Sequence, residues 1–184
     1  MGMDNYLYRK TYLDFDYFSD EKQDFMQPEC RISYNKNDKL QEKYKDKVFR
    51  PTYIVEEICY WRKSRQFHHY FVKNFANGVD DMRPIYLRFK DLKELYLKCK
   101  KIYDASIEDG IDLYSDEIFT CENMRDTKWV AVAEKELPNP FTNIWFDYNM
   151  TYLSQIKTYM DCFEKLDNNE EYHDFDPFYY EASY

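Results

Sequence analysis

The chain has only three glycines in 184 residues, and it contains no Gly-rich phosphate loop, no nucleophile elbow and no metal motif, so no reaction can be read from its residues. Its five cysteines, Cys30, Cys59, Cys99, Cys121 and Cys162, are odd in number, widely spaced and form no CxxC pair. They read as free thiols in a reducing cytosol. A zinc site needs Cys or His ligands in close pairs, and only the adjacent His68 and His69 come near. No metal or other cofactor is therefore expected. No run approaches the ~20 apolar residues of a membrane span, and the opening MGMDNYLYRK lacks the apolar stretch of a signal peptide. The expectation is a cytosolic protein with no membrane partner. A basic excess is missing too: the formal net charge is -9 and the pI about 4.9. Direct nucleic-acid binding needs a basic footprint, so the natural partners of this chain are basic surfaces.

What is present in quantity is rings. Tyrosine (20) and phenylalanine (14) supply much of the 44% hydrophobic share, which points to a ring-rich core with phenol groups at its margins. Other rings are left for a surface, where Tyr and Trp serve as binding anchors. The length suits one substantial domain, expected here over residues 1–166. The stretch 167–184 (DNNEEYHDFDPFYYEASY) differs in kind: six acidic side chains, six aromatic ones and no Lys or Arg, carrying six of the nine formal negative charges. Such a segment suits a basic groove and resists packing into its own core. Its candidate partner contacts are Glu170, Glu171, Tyr172, Asp174, Phe175, Asp176, Phe178, Tyr179, Tyr180 and Glu181, a solvated terminus being the plainer alternative.

Along the body, NYLYRK at 5–10 suits a strand with Tyr6 and Tyr8 on one face and Leu7 on the other. Residues 13–29 read as a loop, 31–34 as a strand, and 35–47 as a polar loop or exposed helix. From Ile54 to Ala76 there is no Gly or Pro, and Ile54, Ile58, Tyr60, Trp61, Phe71, Val72 and Phe75 share one apolar arc at 100° per residue. That predicts a long core helix stopped by Asn77-Gly78, with His68 and Arg65 inside the arc and in need of partners. A strand is expected over 85–89 and a helix over 92–105 with Asp91 as N-cap. Residues 106–128 read as an acidic insertion, 129–137 as helix or strand, 142–148 as a strand and 150–166 as a third helix. The fold class expected is α+β, a small mostly antiparallel sheet with about three helices packed on it.

The opening MGMDNYLYRK, the run Glu57-Ile58-Cys59-Tyr60-Trp61-Arg62-Lys63 followed by His68 and Tyr70-Phe71-Val72, and Asn77-Gly78-Val79-Asp80-Asp81 together resemble a family of small uncharacterised phage and prophage proteins. Val132 to Pro138 and Trp145 to Tyr148 follow in the family's order, and the likeness covers about two thirds of the chain. The family usually has Asn where this chain has Arg65, so a pocket shared by that position and His68 would be altered or closed here. The resemblance implies a setting in which accessory proteins act against host immunity.

Three classes of function follow. The first is a stoichiometric inhibitor, anti-CRISPR-like, that lays its acidic tail on the basic groove of a host immune effector protein or ribonucleoprotein. The second is a sponge for a signalling nucleotide, using Tyr60, Trp61, Arg62, Lys63, Arg65 and His68, although one helix cannot aim all its cations at one ligand. The third is a small enzyme in which His68 meets Asp4 or the Asp80-Asp81 pair. A lone His on an apolar helix face is more often a hydrogen-bonded core residue, and no catalytic residue is assigned.

Overall fold

The computed structural model describes residues 3–12, 53–113, 127–140, 148–168 and 177–183. Two compact units divide the chain: residues 1–10 with 56–184, and residues 11–55, of which only the strand ends 11–12 and 53–55 are described. The first unit holds everything discussed below. In chain order the elements are β1 (Asp4–Tyr12), β2 (Tyr53–Arg62), α1 (Arg65–Phe75), β3 (Ile85–Leu87), α2 (Phe89–Glu108), α3 (Lys128–Glu136), α4 (Met150–Asp167) and β4 (Phe178–Ser183). The strands form one sheet in the order β2-β1-β4-β3, an α+β arrangement. β4 pairs antiparallel with β1, Leu7 facing Tyr180, and antiparallel with β3, Ile85 facing Tyr180 from the other side. β1 and β2 also run in opposite directions, since Asp4 meets Tyr60 while Arg9 meets Glu56.

Alternation along the strands creates two sheet faces. Asn5, Leu7, Cys59, Trp61, Ile85, Leu87, Phe178, Tyr180 and Ala182 are buried on one of them. α1 and α4 pack there: Phe71 stacks on Tyr180 at 4.3 Å, and Trp61 lies 4.8 Å from Phe67 and 5.8 Å from Tyr159. α2 packs against both α3 and α4. The expected ring-rich core is present, and two of its phenols bond to backbone: Tyr159 donates to the Leu92 carbonyl at 2.7 Å and Tyr152 to the Leu137 carbonyl at 2.9 Å.

Several expectations hold, among them the strand at 5–10 with Leu7 buried opposite Tyr6 and Tyr8, and the helices over 92–105 and 150–166. The ambiguous 129–137 segment is a helix, α3, one of four among the described residues. Asp91 is not the N-cap of α2 but its third residue, where its carboxylate accepts the Arg88 backbone N–H at 2.9 Å. The long helix from Ile54 to Ala76 is corrected. Its first part is β2, whose β-branched and aromatic residues suit a strand; Lys63 then takes a left-handed turn (φ 57) into α1. The stop is as expected: Asn77 and Gly78 have positive φ, and the Gly78 N–H returns to the Val72 carbonyl at 3.0 Å. The readings for 13–29, 31–34 and 35–47, most of 142–148, and residues 114–126 of the acidic insertion lie outside the described residues.

The larger correction concerns the tail. Residues 178–183 form the strand between β1 and β3, with Phe178 0% and Tyr180 1% exposed, so the body does not end at 166. Burying one Phe-sized side chain is worth about 3–5 kcal/mol against truncation, and a whole domain is stable by only about 5–15 kcal/mol. Truncation after Asn168 is therefore expected to abolish cooperative unfolding, measured by circular dichroism during urea titration; a folded, cooperative truncation product would contradict the central placement of β4.

Candidate functional site

Two polar constellations stand out in the first unit. One is a chain of hydrogen bonds running inward from the loop after α1. Asp80 Oδ2 lies 2.9 Å from His68 Nε2, and His68 Nδ1 lies 2.9 Å from the Tyr180 hydroxyl. Tyr180 donates to Asn5 Oδ1, and Asn5 Nδ2 reaches the Trp61 carbonyl at 3.4 Å. Having given its one proton to Asn5, the Tyr180 oxygen accepts from His68 Nδ1–H. Asn5 is fully buried on β1, Tyr180 sits on β4, Trp61 on β2, and His68 projects from the first turn of α1, so the chain ties a loop, a helix and three strands together.

The fold thus brings His68 to Asp80, one of the acid-base partners expected from sequence. Asp4 is engaged elsewhere, accepting from Tyr60 at 2.8 Å. Both imidazole nitrogens of His68 already contact protein groups, and a general base needs one of them within reach of a substrate proton. The arrangement fixes structure and leaves His68 no nitrogen for proton transfer to a ligand.

The second constellation is the sheet face opposite the helices. Tyr60, Tyr6, Tyr8, Tyr179 and Tyr86 lie across all four strands on this side. Tyr6 stacks on Tyr8 at 5.6 Å and sits 5.2 Å from Tyr60, while Tyr86 meets Tyr179 edge-on at 5.9 Å. Tyr60 is 42% and Tyr86 54% exposed, and the other three are half-buried. Carboxylates lie among the rings. The hydrogen bond to Asp4 raises the Tyr60 phenol above its ordinary range. Partial burial, then Glu181 and Glu57, do the same to Tyr8.

The sequence-predicted residues distribute unevenly over these features. Glu170, Glu171, Tyr172, Asp174, Phe175 and Asp176 lie outside the described residues. Phe178 and Tyr180 are corrected from partner contacts to core, because alternation turns them under the sheet; Tyr179 and Glu181, one residue out of phase, face outward. The proposed nucleotide set does not converge. Trp61 is buried, Tyr60 and Arg62 lie on the opposite face of the same strand, and Arg65 is exposed on α1 and lies off the core arc. His68 turns towards Tyr180, whereas Arg65 is exposed. Reading 54–76 by helical period concealed Tyr60 as a neighbour of Tyr6 and Tyr8, which the strand reading of 5–10 already set on one face; the period-2 pattern of FYYEAS is the signal that would have found Tyr179 beside them.

Among the described residues no group of three His, Cys, Asp or Glu side chains is placed to hold a metal, and no helix is long and apolar enough to cross a membrane. Cys59, Cys99 and Cys162 are free thiols. The Cys59 thiol hydrogen-bonds to Cys162, which raises the pKa of Cys59 and lowers that of Cys162. No protein-family model, curated protein or solved structure matches this chain.

Replacing Tyr180 by Phe keeps the ring and removes the hydroxyl, leaving the buried Asn5 carbonyl without its donor. The expected loss is about 1–3 kcal/mol of unfolding free energy in urea titration. A Tyr180→Phe protein as stable as wild type would show that the chain of bonds holds nothing together.

Proposed function

We propose that this protein works by occupancy: it docks on a positively charged surface of a host nucleic-acid-dependent immune effector and inhibits it stoichiometrically, as a phage-encoded counter-defence protein. The observation that carries the reading is the row of tyrosines on the outer sheet face, set among Asp4, Glu57 and Glu181. Tyrosine supplies large contact area with few rotatable bonds, and interfaces are enriched in it. Carboxylates between the rings steer a cationic partner and pair with its Arg or Lys groups. The net charge of -9 acts in the same direction at longer range. The genomic setting rests on the motif resemblance alone.

The occupied nitrogens of His68 favour binding over catalysis. The acidic residues of 169–176 remain candidate contacts for the same cationic partner.

A guide-RNA-dependent nuclease from the natural host, titrated with the full-length protein, is expected to lose activity in proportion and to be silenced at one equivalent. Raising the ionic strength should weaken the association. Tyr86→Ser combined with Glu181→Lys should reduce affinity at least about tenfold while leaving the protein folded, since both side chains are exposed and Tyr86 gives up only its edge-on contact with Tyr179. Full silencing at a sub-equimolar dose, or an affinity indifferent to salt and to the double substitution, would overturn the proposal.

A further inference from the structure

Away from the sheet face, the outer surface of α1 and the ends of two neighbouring helices enclose an open cleft of about 440 Å³. Gln66, His69, Tyr70 and Lys73 recur at helical spacing along one side of α1 and form one wall. Glu94 and Lys98, one turn apart on α2, and the last residues of α3 form the other. The volume lies within the range of small-molecule sites, roughly 300–1,000 Å³.

Charge in this cleft departs from the rest of the chain. Three lysines (Lys73, Lys98 and Lys135) face two glutamates (Glu94 and Glu136) in a protein whose net charge is -9. One lysine is already used: Glu136, 12% exposed, is held by Lys98 at 3.5 Å and by Lys101 at 3.3 Å. Lys73 and Lys135 make no ion pair or hydrogen bond with any described residue, and they come to the cleft from opposite walls, one on α1 and one on α3. Below them the wall is aromatic, Tyr70 and Phe75 meeting edge-on at 6.0 Å. His69 and the side-chain oxygen of Asn74, whose amide nitrogen is bonded to the Tyr70 carbonyl, add polar groups between rings and cations.

We infer that this cleft binds a small phosphorylated ligand with a flat ring, of mononucleotide size, with Lys73 and Lys135 on the phosphate and Tyr70 and Phe75 against the ring. Two lysines converging from separate helices suit a compact dianion better than a single surface carboxylate. Aromatic edges below them favour a ring over a bare ion, and stacking on such a wall tolerates different bases. The inference is independent of the proposed docking face, which lies on the far side of the sheet from α1. It also places nucleotide recognition on residues other than Tyr60, Trp61, Arg62, Arg65 and His68.

Both lysines also lie in the last turn of their helices, where a cation complements the helix dipole, so binding has to be separated from a purely structural role. Calorimetric titration of the full-length protein with each of the four ribonucleoside monophosphates, with adenosine and with inorganic phosphate makes that separation, alongside the Lys73→Gln/Lys135→Gln variant and its melting curve. The expected result is saturable binding of at least one monophosphate, at least about tenfold tighter than phosphate or adenosine alone, and at least about tenfold weaker in the variant. Absence of heat with all four monophosphates at millimolar concentration, equal affinity for phosphate alone, or undiminished binding by a normally folded variant would overturn the inference.

Discussion

Pairing of β4 on both of its edges is the constraint from which the rest of this structure follows. One strand near residue 180 supplies the hydrogen-bonding edge for β1 and for β3, and its underside supplies Phe178 and Tyr180 to the core. Phe71 of α1 stacks on Tyr180, and Phe89 at the start of α2 lies 6.4 Å from Phe178. The same Tyr180 hydroxyl closes the buried bonds to His68 and Asn5. Backbone pairing, ring packing and polar satisfaction therefore coincide on six residues, a convergence that makes the strand hard to replace.

That strand also contributes to the outer tyrosine face on one side and to the helix-packed side on the other. Its odd positions, Tyr179 and Glu181, join the outer tyrosine row, and its even positions anchor the helices, α1 among them, whose far side forms the lysine cleft. His68 is held between the Tyr180 phenol and the Asp80 carboxylate.

Much of the fold was legible in the sequence wherever one period dominated. Leu92, Leu95, Cys99 and Ile102 on α2, and Leu153, Ile156, Met160 and Phe163 on α4, repeat cleanly at helical spacing, and all are buried. Where two periods coexist, the reading failed. Cys59 and Trp61 alternate with Tyr60 and Arg62 as a strand does, yet Ile58, Trp61 and the rings of α1 also fit a helical arc, and nothing local marks the turn at Lys63. Composition misled at the other end: six carboxylates among six rings read as a tail for a basic groove, with a solvated terminus as the alternative, although FYYEAS after Pro177 carries strand alternation. The pairing of His68 with Asp80 was foreseen as one of two options, whereas Tyr180 and Asn5, 112 and 63 residues away in sequence, enter only through the tertiary fold.

Residues 4 and 183 stand opposite each other across β1 and β4, so the sheet joins positions separated by nearly the whole length described. During synthesis β1 and β2 emerge first and wait, with one edge of β1 unpaired, until the chain from Arg62 to Ser183 has followed. Contacts this distant in sequence slow folding, because loop closure is costly before any native contact rewards it. The nascent chain thus exposes a tyrosine-rich edge for longer than a protein with neighbouring strands paired in order, and it does so before the stretch that carries six of the nine formal negative charges has been made.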